Sequence, residues 1–179
     1  GHRVAELVSV PALRHGQRHV ELPLLSPPSR LRAEVERLAL KLKVGIKVGL
    51  GGADSWAQRV PRAQLEWIEE VLAHGGGART QAFEIQGLVL GRLVLLGMEG
   101  EIFARYQLDI EAEHGGVVVC GYANGCIGYV PTADEYARGG YEIEMAYKVY
   151  PSVLMIAPES EGVLRAAVVE LMAELGQRD

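Results

Sequence analysis

Hydrophobic residues recur at intervals of three and four positions in four stretches of the chain, which is the spacing of a helix that buries one face. The stretches cover residues 31–42, 61–74, 103–114 and 159–175. Ser-Pro-Pro-Ser at 26–29 precedes the first and Pro61 opens the second, because serine caps helices and proline fits a first turn. Glycines at 75–77 and Gly176 are the expected stops. The glycine-rich segment 45–52 lacks a Gly-Lys-Ser/Thr phosphate-loop signature and predicts a flexible connector.

A second set of stretches is rich in β-branched residues or alternates between apolar and polar positions, and these predict strands. They are residues 4–10, 19–24, 79–90, 92–96, 117–120 and 141–149. Gly91 separates the third from the fourth, which predicts a hairpin. The valine run at 117–120 predicts a buried strand. Because strands and helices are interleaved, the predicted fold class is α/β, a mixed sheet with a hairpin and helices packed against it, with α+β as the alternative.

The composition fits a globular domain. The chain has 179 residues, 49% of them hydrophobic, which predicts one domain with its own core over residues 3–179. Gly1 and His2 are interpreted as the remnant of a cleaved tag, and the chain as a piece of a longer polypeptide. The net charge of −5 argues against a surface for nucleic acid or anionic membranes, and the basic residues at 30–47 are interpreted as one solvated helix face. No apolar run reaches the roughly 18–20 residues of a membrane span, and the sequence does not separate a cytoplasmic from a secreted location.

The segment 117–142 concentrates side chains that can carry chemistry. A strand-like run leads into a glycine-rich loop, which is the usual way in which a sheet presents residues to a ligand. Four of the seven tyrosines of the chain lie in this loop: Tyr122, Tyr129, Tyr136 and Tyr141. Taken alone, they are typical of half-buried loop margins whose hydroxyls stay in water. Cys120 and Cys126 are too few for a disulfide framework, and the sequence leaves open whether they pair.

One long motif runs from Ala123 to Glu142 and reads A-N-G-x-x-G-Y-V-P-T-x-x-E-Y-x-x-G-G-Y-E. A second, upstream, is Gly-Glu-Ile-Phe at 100–103. Together they resemble the neutral/alkaline non-lysosomal ceramidase family, and within it the carboxyl-terminal half of the catalytic region in bacterial members. Two separated motifs of this length are more specific than a single glycine pattern.

The resemblance implies a zinc-dependent amidohydrolase that cleaves the N-acyl bond of ceramide and releases a fatty acid and sphingosine. In that family the metal is held by two His, one Glu and one Tyr. Glu101 matches the family's glutamate and Tyr129 its metal-binding tyrosine, while Tyr141 matches a second, catalytic tyrosine close to the metal. A carboxylate and a phenolate are hard oxygen donors that zinc accepts beside imidazole. Without the resemblance, Glu101 is typical of an acid in the first turn of a helix.

The chain departs from the family because the histidine motifs lie upstream and have no counterpart here. Its own histidines show no ligand spacing: His2, His15, His19, His74 and His114. We therefore expect the chain alone to bind zinc weakly or not at all and to be inactive, with the missing upstream half as its partner and a lipid-like substrate. The alternatives are a non-catalytic ligand-binding or assembly module on the same scaffold, and a hydrolase of another amide or ester.

Overall fold

The computed structural model describes residues 13–47, 55–74, 79–150 and 154–177. The strands, in chain order, are β1 (Arg14–Pro23), β2 (Thr80–Leu90), β3 (Leu93–Met98), β4 (Glu101–Ile102), β5 (Val117–Cys120) and β6 (Tyr129–Val130). The helices are α1 (Leu31–Lys47), α2 (Trp56–His74), α3 (Ala104–His114), α4 (Tyr141–Glu144) and α5 (Ser160–Gln177), with short 3-10 helices at Ala133–Ala137 and Ala146–Val149. No helix in these ranges combines the length and apolar composition that crossing a membrane requires.

A four-stranded mixed sheet forms the centre of the fold, in the order β1-β2-β3-β5. β1 pairs with β2 and β2 with β3 in antiparallel register, whereas β3 and β5 are parallel. This confirms the predicted mixed sheet with helices, and it confirms the hairpin around Gly91. β1 begins at Arg14 rather than at residue 19, because it pairs along the whole length of β2.

Helix α5 lies on the sheet over a pair of glycines. Gly16 and Gly87 face each other across β1 and β2. A Cβ on Gly87 would lie 2.5 Å from Leu175 Cδ1, and one on Gly16 would lie 2.9 Å from Leu171 Cδ1. Both leucines are fully buried, so the glycines leave the space that their side chains fill. This contact anchors the first hydrophobic core, which also takes in Phe83 and other residues of the sheet.

A second hydrophobic core lies between α1, α2 and the segment that follows α4. Trp67 is its largest member and packs edge-on against Tyr147, with ring centroids 5.3 Å apart. Leu154 and Met155 complete it on the other side. Leu24, just after β1, packs against both cores and so connects them.

The outer edge of β5 is covered by a side chain. Gln107 of α3 donates from Nε2 to the Val117 carbonyl at 2.9 Å and accepts from the Val119 amide at 2.6 Å. A single side-chain amide thus makes the two bonds that a neighbouring strand would make.

Several local predictions are wrong. Residues 141–149 form α4 and a 3-10 helix instead of a strand. Gly139 and Gly140 have φ of 66° and 105°, which breaks the extended chain, and the next buried residues are consecutive (Ala146 and Tyr147), not alternating. The run 117–120 is an edge strand, in which Val117 is buried while Val118 and Cys120 are exposed, because only its α3 side is covered.

Helix boundaries also differ. α1 continues through Gly45 to Lys47, and α2 begins at Trp56, so Pro61 lies inside the helix. Because proline has no N–H, Pro61 cannot donate a hydrogen bond to the Ala57 carbonyl. Ala57 is exposed, so water can reach this carbonyl instead. α5 continues past Gly176 by one residue. The predicted strand 4–10 and the glycines 75–77 lie outside the described residues.

Candidate active site

A two-residue parallel ladder brings the loops after β3 and β5 together. In it Glu101 of β4 is the register partner of Tyr129 of β6. The Glu101 amide donates to the Gly128 carbonyl at 2.8 Å, and the Tyr122 amide donates to the Gly100 carbonyl at 2.8 Å. Gly100 has a φ of 86°, and a Cβ there would lie 2.6 Å from the Gly128 oxygen. Only glycine allows this approach, which places the two side chains next to each other.

The carboxylate of Glu101 is where the phenols meet. Tyr150 donates its hydroxyl to Oε1 at 2.6 Å, and the hydroxyls of Tyr129 and Tyr122 lie close enough to this carboxylate for it to raise their pKa values. The carboxylate stabilises the protonated phenols, because a phenolate beside it would place two negative charges together. The interaction with Glu101 is the main reason that the pKa of Tyr129 rises to about 12, with burial as the next cause. The pKa values of Tyr122 and Tyr150 are also raised, and in each case the interaction with Glu101 is the largest cause.

Tyr141 lies beside this cluster and not within it. Its ring packs edge-on against Tyr129, with centroids 6.4 Å apart, and Phe103 flanks Tyr129 at 6.1 Å. The side chain is 52% exposed, so its hydroxyl is free to meet a ligand that approaches from solvent. The charge of Glu142 contributes to the raised pKa of Tyr129, which places that carboxylate near the same phenol.

The site is open to solvent. Glu101, Tyr129 and Tyr150 are half-buried, while Tyr122 and Cys126 are exposed. Both cysteines are free in the structure. The cluster is therefore accessible to solvent and is not enclosed in a hydrophobic core.

The structure brings together the three residues singled out from the sequence, and it adds two. Glu101, Tyr129 and Tyr141 converge as described, and Asn124 in the same loop has a positive φ of 65°. Tyr122 belonged to the predicted loop but had no role assigned, and Tyr150 was missed. Tyr150 lies 49 residues beyond Glu101 in the chain, directly after the segment 141–149 that was predicted as a strand, so no spacing pattern links the two.

No family model and no curated protein matches the chain. Solved structures similar to it include a ceramidase complexed with C2, at 26% identity and a TM-score of 0.43, over 54% of this chain and 15% of that one. They also include the neutral ceramidase from Pseudomonas aeruginosa, at 18% identity and a TM-score of 0.49, over 94% of this chain and 29% of that one. Both are ceramidases. The chain spans less than a third of either of them.

The donor atoms that converge at Glu101 are oxygens, a type that zinc accepts in proteins. A carboxylate and a phenol fit two of the four positions that zinc uses in proteins. Among the described residues, no group of three or more His, Cys, Asp or Glu side chains lies close enough to hold a metal. His19 lies 3.9 Å from Glu84 on the sheet, and His15 and His114 are exposed. The donor set of the described residues thus matches two of the ligands that a zinc site needs and lacks the others.

Proposed function

We propose that this chain is part of a ceramidase-like, zinc-dependent amidohydrolase that hydrolyses the N-acyl amide bond of a lipid, as in the conversion of ceramide to a fatty acid and sphingosine. The proposal depends on one observation. Glu101 and Tyr129, which match the family's two oxygen ligands, are register partners, and the Glu101 carboxylate is the main cause of the raised pKa of the Tyr129 phenol, so the two side chains lie together. A resemblance limited to sequence does not require this contact.

Each residue has a distinct role in the proposal. Glu101 and Tyr129 hold the metal, which when bound supplies Lewis acidity and lowers the pKa of a water molecule. Tyr150 fixes the orientation of the carboxylate through its bond to Oε1. Tyr141, exposed and packed against Tyr129, donates a hydrogen bond to the oxygen of the amide as negative charge develops on it.

The proposal includes the expectation that the site is completed by residues outside this chain. Zinc in a catalytic site takes three protein ligands and a water, or four protein ligands. Glu101 and Tyr129 supply two, so the histidine ligands belong to an upstream half of the same polypeptide. This chain alone is then inactive and binds zinc weakly.

The test uses a longer polypeptide that contains this chain and its upstream sequence. Glu101→Gln and Tyr129→Phe are expected to lower zinc retention and ceramide turnover by about 10–100-fold or more, because each removes a ligand. Zinc content is measured by elemental analysis, and turnover by release of fatty acid. Tyr136→Phe is the matched control, since Tyr136 lies in the same motif but donates to the Ile156 carbonyl. Full zinc content and turnover in Tyr129→Phe would contradict the proposal.

The chain alone gives a second readout. Calorimetric titration with zinc is expected to show no submicromolar site. A tight site in this chain would show that the donor set is complete without other sequence, contrary to the proposal.

A second candidate function is a non-catalytic ligand-binding or assembly module. It is favoured by the observation that the Glu101 carboxylate accepts a hydrogen bond from Tyr150 and lies beside the phenols of Tyr122 and Tyr129, a set of polar groups that can bind a ligand directly. Zinc content of the longer polypeptide separates the two candidates, because the module requires no metal.

A further inference from the structure

Tyr122 has a backbone conformation that an aromatic residue rarely adopts. Of the described residues other than glycine, Tyr122 and Asn124 alone have a positive φ, and that of Tyr122 is 56°. Asparagine tolerates this region because its short side chain hydrogen-bonds locally, whereas a bulky side chain is strained there. Such strain persists only where the surrounding structure imposes it, and it is concentrated at sites that bind ligands or carry out catalysis.

The loop after β5 imposes this conformation because three consecutive residues are fixed to their surroundings. The Tyr122 amide donates to the Gly100 carbonyl at 2.8 Å, and the Ala123 amide donates to a carbonyl at the end of β3 at 3.1 Å. Asn124 donates from Nδ2 to Glu84 Oε1 at 2.6 Å. Tyr122 cannot relax to a negative φ unless these contacts are broken.

Burial of the ring does not account for the strain. Tyr122 is 63% exposed, which is the largest value among the seven tyrosines of the chain. An exposed ring adds little hydrophobic stabilisation to a fold. The hydroxyl lies beside the Glu101 carboxylate, which raises the pKa of this phenol. The ring is therefore the part of the side chain that is available to a ligand at Glu101.

We propose that the ring of Tyr122 binds an alkyl chain of the substrate beside the scissile amide. The inference rests on the proposed function, in which the amide is bound at Glu101 and Tyr129. Tyrosine offers a large apolar contact area and loses little conformational entropy on binding, since it has only two side-chain torsions. The alkyl chains of an amide bound at Glu101 leave past the residues that border this carboxylate, and Tyr122 is the most exposed of its neighbouring tyrosines.

The test uses the longer polypeptide and the variant Tyr122→Gly, which removes the ring together with the strain, because glycine readily adopts a φ of 56°. KM for a ceramide with a long acyl chain is expected to rise about tenfold, as when one aromatic contact is lost at a binding surface. Zinc content is expected to stay unchanged, and the denaturation midpoint to stay equal or rise. A ring that only supported the fold would lower that midpoint.

Two further variants separate the ring from other effects. Tyr122→Phe keeps the ring and loses the hydroxyl, so its KM is expected to rise less than that of Tyr122→Gly. Leu108→Ala is the matched control for loss of an exposed apolar side chain, since Leu108 is 62% exposed on α3, and its KM is expected to equal that of the unchanged protein.

Shortened substrates identify the chain that the ring binds. One substrate carries an acetyl group in place of the long acyl chain, and the other has a short chain on the amine side. The difference in KM between Tyr122→Gly and the unchanged protein is expected to disappear with the substrate that lacks the bound chain.

Three results would overturn the inference. The first is an equal KM for the long-chain substrate in Tyr122→Gly and the unchanged protein. The second is an equal rise in KM for all three substrates, which would assign the ring to the polar part of the substrate. The third is a rise in KM together with a lower denaturation midpoint or lost zinc, which would assign Tyr122 to the fold or to the metal.

Failure of the proposed function gives a different result, which is the absence of zinc and of turnover in the unchanged longer polypeptide. Calorimetric titration of that protein with the long-chain ceramide then tests Tyr122 without turnover. Weaker binding is expected in Tyr122→Gly, and equal affinity in the two proteins would overturn the inference.

Discussion

The carboxylate of Glu101 has about four lone-pair directions; Tyr150 donates into one of them, and the phenols of Tyr122 and Tyr129 lie beside it. Tyr122 and Tyr129 come from the loop after β5, and Tyr150 comes from the segment after α4. Hydrogen bonds to a charged acceptor are shorter and stronger than neutral ones, which agrees with the 2.6 Å from Tyr150. A single acid thus fixes the relative positions of these segments.

The first prediction at the residue scale concerns Tyr150. Tyr150→Phe removes the bond to Oε1 and leaves the ring, which packs over Gly128. Because a group that orients a ligand supports metal affinity, zinc retention in the longer polypeptide is expected to fall about 10–100-fold. Stability is expected to fall by about 1–2 kcal/mol. Tyr136→Phe loses a comparable hydrogen bond elsewhere, so equal zinc content in the two variants would remove Tyr150 from the site.

The second prediction at the residue scale concerns the stability of the fold at high pH. Burial, followed by the charge of Glu34, raises the pKa of Tyr147 to about 12. In the unfolded chain a tyrosine has a pKa of about 10, so the folded state retains this proton to higher pH than the unfolded state does. The corresponding stability is fully present below about pH 10 and is lost as pH rises to about 12. Urea unfolding across this range is expected to show that the free energy of unfolding declines less steeply with pH in Tyr147→Phe than in the unchanged chain. An equal decline in the two proteins would contradict this prediction.

At the scale of elements, the ladder of β4 and β6 has only two residues in each strand and is separate from the main sheet. Strands this short have no sequence signature of their own, because alternation needs at least four residues to be visible. The ladder depends on the glycines at its ends, which permit the close approach of two backbones. The position of the site therefore depends on backbone conformation as much as on its functional side chains.

Gly100→Ala tests this dependence. The added Cβ would meet the Gly128 carbonyl, at a φ of 86° that alanine rarely adopts, and unfolding free energy is expected to fall by at least about 1–3 kcal/mol. Gly115→Ala is the matched control, since its φ is 64° but no atom lies within 4 Å of the added Cβ. Denaturant titration of both variants separates the clash from the backbone strain. Equal losses would show that the approach of Gly100 to Gly128 is not tight.

At the scale of the whole molecule, the sequence predicted what depends on periodicity. The hairpin of β2 and β3, helix α5 and the mixed sheet follow from apolar spacing, and they are confirmed. Residues 141–149 were predicted as a strand, and this is wrong because Gly139 and Gly140 break the extended chain and the residues that follow bury consecutive side chains, Tyr147 against Trp67 among them. The convergence of Tyr150 on Glu101 is a tertiary contact, which no local pattern encodes.

The two hydrophobic cores are connected where β1 ends. The Pro23 carbonyl accepts hydrogen bonds from the Ala157 amide at 2.8 Å and from Ser160 Oγ at 3.1 Å. Leu24 contacts both cores directly after it. The start of α5, the end of the sheet and the α1–α2 pair thus share one junction.

The Gln107 amide on β5 has a consequence for self-association. A bare strand edge offers unpaired amides and carbonyls that template a foreign strand, which is how many sheets begin to polymerise. Here an incoming chain would first have to break two hydrogen bonds at Val117 and Val119. Helix α3 therefore hinders amyloid-like growth from this edge of the sheet, although none of its residues belongs to a strand.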